Sequence, residues 1–135
     1  MPTSQPLVIN LPNIPSTWYM TWSLSTQAAN LICATLSDSG GKTYNTNTCR
    51  QDTAFGILDQ GFAQVANPGL QLSITATNSV TALAAPVLVS ATNAFALTDP
   101  LGANVAFGYN IAIEDSTDND FNDLYVTIVA WASQT

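Results

Sequence analysis

Apolar and polar residues alternate at every second position in four stretches of the chain. Trp18, Met20, Trp22 and Leu24 alternate with Tyr19, Thr21 and Ser23, and Leu70, Leu72 and Ile74 alternate with Gln71, Ser73 and Thr75. Val105, Phe107, Tyr109, Ile111 and Ile113 share one face of a third stretch, and Leu124, Val126, Ile128 and Ala130 one face of a fourth. An extended backbone points successive side chains to opposite sides, so each stretch predicts a strand with one buried face. The other face of the fourth, Tyr125, Thr127, Val129 and Trp131, is apolar apart from Thr127. That pattern predicts a strand covered on both sides, inside a sandwich or at an interface.

Turn-forming clusters separate these runs: Asp38-Ser39-Gly40-Gly41, Asn67-Pro68-Gly69, Thr77-Asn78-Ser79 and Asp99-Pro100-Leu101-Gly102. Short strands at this spacing predict an all-β fold, an antiparallel β-sandwich with Greek-key or jelly-roll connections. No composition shift or strict repeat marks a boundary, so residues 1–135 read as a single domain. The Ala-rich segment from Thr81 to Leu97 predicts two strands, with a short helix as the alternative. Tyr44 to Thr48 predicts an exposed, hydrogen-bonded hairpin region. Trp18 and Trp22, at period-two spacing, are expected as core or interface residues rather than on a sugar-stacking platform.

Composition narrows the function. The chain has 47% hydrophobic and 8% charged residues, with two basic residues against nine acidic ones, a net charge of −7. Binding to nucleic acid, which needs clustered Lys and Arg, is excluded, as is a polybasic membrane-surface helix. No stretch approaches the ~20 apolar residues needed to span a bilayer, so no membrane insertion is expected. The first ten residues show no basic residue and no long apolar run, so no signal peptide is expected in them. Histidine is absent, which removes imidazole catalysis and His-ligated metals. Cys33 and Cys49 flank a Ser/Gly/Asn-rich stretch. The two would be bridged in an oxidising compartment or be buried thiols otherwise.

Most of the chemistry lies in Glu114 to Asp123, between two predicted strands. This segment holds five of the nine acids, including the single Glu. Carboxylates crowded into one loop repel one another unless a cation offsets them. Calcium takes about 6–8 oxygen ligands from carboxylates, amides, carbonyls and water. Glu114, Asp118, Asp120, Asn122 and Asp123 supply that donor set. Zinc would need His or Cys, and magnesium keeps its waters. An EF-hand does not fit, because Asp123 stands where its glycine is required and Val129 where its bidentate Glu is required. Catalysis is not expected: a nucleophile–base pair cannot be assembled without His, and no second carboxylate is evidently placed across a cleft.

Glu114-Asp-Ser-Thr-Asp-Asn-Asp-Phe-Asn-Asp123, followed by a short apolar strand ending in Trp131, resembles the two-calcium fucose- and mannose-binding lectins of bacteria (the LecB-like family). The family has Gly where Ser116 stands, Tyr where Phe121 stands, and Asn-Trp where Ala130-Trp131 stand. The resemblance is strongest over residues 107–131. It implies two calcium ions side by side, coordinated directly by sugar hydroxyls, with a single ion as the alternative. It also implies that Glu114 and Asp118 hold one ion, that Asp120 and Asp123 bridge both, and that Asn122 holds the second. In the family Asp115 is not a ligand; here it is expected to hydrogen-bond within the loop or stay solvated. The family's additional Asn ligand has no counterpart in Trp22 to Gln27, and Asn30 lies further along. The family's terminal carboxylate, from a neighbouring subunit, would here be that of Thr135.

The expected function is therefore a calcium-dependent, non-enzymatic lectin for fucose- or mannose-type glycans. Its sugar contacts would be Asp118, Asp120, Asn122 and Asp123, with Ser23, Ser25 and Thr26 as specificity contacts and Thr135 from the tail. Such sites gain avidity when linked, so a homodimer or homotetramer is expected, acting outside the cell or at its surface. The alternative is a structural or adhesion β-sandwich whose calcium merely ties a loop.

Overall fold

The computed structural model describes residues 2–81, 84–115 and 121–132. The described residues contain seven strands and no helix. These are β1 (Leu7–Asn10), β2 (Tyr19–Ser37), β3 (Cys49–Gln64), β4 (Gln71–Thr77), β5 (Val89–Thr98), β6 (Asn104–Glu114) and β7 (Leu124–Trp131). All pairings are antiparallel.

The long strand β2 organises the fold. Its first half pairs with β7, from Tyr19↔Trp131 to Thr26↔Leu124. Its second half pairs with β4, from Leu31↔Thr77 to Ser37↔Gln71. β3 follows the opposite edge of β2 from Tyr19↔Gln64 to Cys33↔Cys49, with register shifts between Leu24 and Ser25, Thr26 and Ala28, and Ala28 and Ile32. Such irregularities bend a strand and add twist, and here they fall where β2 passes from one layer to the other. The front layer runs β5-β6-β7-β2-β3, and the back layer β1-β4-β2.

Even-numbered side chains of β2 point inward along both halves. Met20, Leu24, Ile32, Ala34 and Leu36 are fully buried and Trp22 nearly so. They meet Tyr109, Ile111 and Ile113 of β6, Leu124, Val126, Ile128 and Ala130 of β7, and Leu72, Ile74 and Ala76 of β4 in one cluster. Each large aliphatic side chain so buried contributes about 1.5–3 kcal/mol. The indole of Trp22 is in the core, as its spacing predicts. Trp18 is only half-buried and stacks on Phe107 at 5.6 Å. Cys33 and Cys49 are direct cross-strand partners of β2 and β3 and form a disulfide.

Two expectations are corrected. The Ala-rich segment forms one strand, β5, preceded by irregular backbone, and neither a helix nor a second strand occurs among its described residues. The Tyr44–Thr48 segment is not simply exposed, because Tyr44 and Asn45 are buried. The Asn45 amide accepts from Leu36 N–H and donates to the carbonyls of Ala34 and Asn47, so it ties the segment to β2. The Tyr44 hydroxyl donates to Asp38 and accepts from Ala66 N–H.

Candidate functional site

β6 and β7 are adjacent, and their connection closes where Ile113 pairs with Leu124. The strand period buries Ile113 and Leu124, and the next residues outward, Glu114, Asp115 and Asp123, remain buried as well. Ligand oxygens of these three carboxylates all lie within 4.8 Å of one another. The backbone helps to hold them. Phe121 N–H donates to Glu114 Oε2 at 2.9 Å, and Asp115 N–H donates to Asp123 Oδ2 at 2.9 Å. Asp123 N–H donates to the Ile113 carbonyl at 3.2 Å. Phe121 adopts φ 51°, a left-handed conformation that costs a non-glycine residue about 1–3 kcal/mol and recurs where side chains are aimed for function.

Burial pushes the carboxyl of Asp123 up to about 8, aided by its hydrogen bond with Glu114 and repulsion from Asp115. Neither basic side chain relieves this crowding. Arg50 is held by the Thr26 carbonyl and hydroxyl and by Asp52, and the Lys42 ammonium sits over the Tyr44 ring. Three buried carboxyl groups so close together need protons or a cation. An all-oxygen set suits a hard divalent ion such as calcium.

Asn30 also reaches the site, although it is remote in sequence. Its Nδ2 donates to Asp115 Oδ2 at 3.1 Å, and its Oδ1 accepts from Ser79 N–H at 3.0 Å. The β2 backbone brings it there: Gln27 N–H points to the Asp123 carbonyl at 3.4 Å, so β2 passes along the acidic segment. Asp115 is buried within the carboxylate group, not solvated. In the sequence Asn30 was marked only as the amide lying beyond Trp22 to Gln27, the stretch in which the resemblance implies an additional Asn ligand.

Glu114 and Asp123 come together as the sequence implied, with Asn122 half-buried beside them in the chain. Asp118, Asp120 and Thr135 lie outside the described residues. The three β2 candidates are separated. Thr26 is fully buried and its hydroxyl accepts from Arg50. Ser25 pairs with Tyr125, next to the end of β7 that carries the acidic segment. Ser23 lies further from it, between Thr127 and Gln60 in the front layer, where it lines a shallow groove with Thr21, Gly61 and Phe62.

The described residues thus form a bent antiparallel all-β sandwich with a buried acidic cluster where β6 runs on to β7. Solved structures with this fold include the C-terminal domain of the BC2L-C lectin of Burkholderia cenocepacia, with a TM-score of 0.60 and 16% identity over 91% of this chain and 97% of that one. The Chromobacterium violaceum lectin CV2L, solved with alpha-methyl-fucoside, gives 0.60 and 19% over 92% and 94%. The high-affinity mannose-binding lectin of Ralstonia solanacearum gives 0.59 and 18% over 92% and 94%. No protein-family model matches the sequence, and no curated protein does. The expected resemblance thus holds for the fold over nearly the whole chain.

Proposed function

We propose that this chain is a calcium-dependent carbohydrate-binding protein and not an enzyme. One observation carries the reading: three buried carboxyl groups within 4.8 Å of one another, with both basic side chains committed elsewhere. Glu114, Asp118, Asp120, Asn122 and Asp123 are the proposed ligands, for two ions or for one, and Asn30 orients Asp115 beside them. Bound calcium offers coordination positions that vicinal sugar hydroxyls can fill in place of water. Fucose- or mannose-type glycans are the proposed class, since the similar folds include lectins described with alpha-methyl-fucoside and as mannose-binding. Homo-oligomerisation, as a dimer or tetramer, would multiply weak single sites.

The test is isothermal titration of methyl fucoside and methyl mannoside into calcium-loaded protein, repeated after chelation. Heat that disappears with the metal supports the reading. The complete burial of Glu114 favours a second reading, in which calcium only ties the hairpin. Calcium binding without heat from either sugar would select it.

A further inference from the structure

The outer face of the front layer carries a polar row that stands apart from the buried carboxylates. Asn93 pairs with Asn110, Asn110 with Thr127, Thr127 with Ser23, and Ser23 with Gln60. These registers set one uncharged polar side chain on each of β5, β6, β7, β2 and β3, in a line across the layer. At ~4.8 Å between strands the line is about 19 Å long. Four of these side chains are exposed and Ser23 is half-buried. Among the described residues, the one side-chain hydrogen bond along the row is from Thr127 Oγ1 to Asn110 Oδ1, at 3.4 Å. The rows on either side are largely apolar. Towards the acidic segment stand Tyr125 and Ile57, with Phe55 against Tyr125 at 6.4 Å between ring centroids. On the other side stand Phe95, Val129 and Phe62, and the Phe62 ring lies 5.9 Å from those of both Tyr19 and Trp131. Two shallow hollows follow the row, of about 380 Å³ beside Asn93, Asn110 and Tyr125 and about 500 Å³ beside Ser23, Gln60 and Phe62, and Thr127 lines both.

We propose that this row is a second carbohydrate site, independent of calcium, which takes the extended chain of a neutral β-1,4-linked glycan. Charge selects the class of ligand. The molecule carries a net charge of −7, yet no acidic or basic side chain stands in the row or in its two flanks. A sulfated or uronic chain finds no cation there and meets the repulsion of the whole molecule. Amides and hydroxyls in line supply donors and acceptors for sugar hydroxyls. The flanking rings present flat apolar surfaces to the C–H faces of pyranose rings, the usual division of labour in a small-molecule site. A protein interface has the opposite plan, an apolar centre with a polar rim. A protein covering this face would bury the amides of Asn93, Asn110 and Gln60 at its centre, each of which costs free energy unless it is matched.

Shape narrows the class further. The row crosses a sheet and is open at both ends, so it accommodates a ribbon rather than a coiled chain. A β-1,4-linked glycan is such a ribbon, and each of its residues advances by nearly one strand spacing. Successive sugars therefore stand over successive strands, about four of them along the row. Ser23, which lies away from the acidic segment, contacts the chain here. The site stands whatever the acidic segment binds: Thr127 is four residues beyond Asp123, about 14 Å along β7.

The experiment is calorimetric titration of cellohexaose and of β-1,4-mannohexaose into the native chain in chelator, with circular dichroism to verify the folding of each variant. At least one hexaose should bind, one per chain, and about tenfold or more tightly than its disaccharide, which spans only part of the row. Asn110→Ala and Tyr125→Ala, both at exposed positions, should each lower that affinity about tenfold while leaving the spectrum unchanged. No heat from either hexaose would overturn the proposal. So would binding that appears only with calcium, equal affinity for hexaose and disaccharide, or binding that both variants leave unchanged. Sedimentation velocity tests the other occupant of this face. A native chain that sediments as a multiple of 14.2 kDa, and that Asn110→Arg reduces to a monomer, would give the face to a second copy and overturn the glycan site. None of these readouts depends on sugar binding at the acidic segment.

Discussion

Asn30 and Asp115, 85 positions apart, meet through a 3.1 Å hydrogen bond from amide to carboxylate. The same amide accepts from Ser79 N–H, so its orientation is fixed from two sides. Hydrogen-bonding partners that hold the surroundings of a metal site in place typically change its affinity 10–100-fold when removed. Asn30→Ala is therefore expected to weaken calcium binding by about tenfold or more, with little loss of fold, measured by calorimetric titration. Asn30→Asp adds a further carboxylate to Glu114, Asp115 and Asp123. It should lower the melting temperature of the metal-free protein and enlarge the rise that calcium produces.

Asp123 gives the metal-free protein an unusual pH response. Its carboxyl titrates near 3.8 when unfolded and is pushed up to about 8 by burial in the folded chain. Between those values the folded state holds more protons than the unfolded state, so stability falls as pH rises across that window. Melting temperature measured in chelator should decline from pH 4 to pH 8. Calcium should remove the decline and release protons on binding, visible as binding heats at pH 7 that vary with the buffer's ionisation enthalpy. Asp123→Asn should flatten the chelator curve and abolish the calcium effect. A native curve that rises with pH in chelator would show that the cluster is not as crowded as its geometry indicates.

Asp38 behaves in the opposite sense. Burial acts to raise its carboxyl, but hydrogen bonds from the Tyr44 hydroxyl, from Lys42 N–H, from the Asn67 amide and from Gly40 N–H outweigh this and hold it below 3.8. Its stabilisation is whole above pH 3.8 and is lost as pH falls through the lower folded value. Tyr44→Phe removes the largest of these hydrogen-bond contributions. It should cost about 1 kcal/mol in urea denaturation at pH 7 and move the acid-unfolding midpoint to higher pH.

The Cys33–Cys49 bridge closes a loop with a sequence separation of 16. A loop of that length, when closed, stabilises by ~3 kcal/mol through the unfolded state. Reduction, or the double change Cys33→Ala with Cys49→Ala, should lower the denaturation midpoint accordingly. The acidic segment is remote in sequence from the bridge, and calcium affinity should stay the same.

The sequence was most legible where one face is buried and the other wet. β4 alternates clearly, and Ile74, Ile111 and Ile128 are in the core as their spacing predicts, whereas Val105 is exposed and the second face of β7, read from its apolar residues as covered, leaves Tyr125 exposed. β3 was invisible to that logic, because Thr53 to Phe55 are exposed and its inward residues are interrupted by register shifts. β5 was blurred for the same reason: a strand exposed on both faces has no reason to alternate. At the site, Glu114 and Asp123 were readable because metal chemistry needs clustered oxygen donors within a short span. Asn30 was noted only as an amide beyond Trp22 to Gln27, and its place at the site follows from the passage of β2 along the acidic segment. Tyr44 and Asn45 were misread as exposed because nothing local signals that Asp38 and Leu36 would satisfy their polar atoms.

The position of β7 has a consequence for how the chain matures. It is the last of the seven strands among the described residues, yet it lies between β2 and β6 and registers Trp131 against Tyr19. Folding dominated by such distant pairings is slow, typically on the millisecond-to-second scale. During synthesis the front layer is left open along β2 until residues 124–131 clear the ribosome. Asp123 directly precedes that strand, so the carboxylate cluster is assembled at the closing step. An ion that prefers the assembled cluster would act as a latch on the closed front layer and would leave chains that still lack β7 unbound.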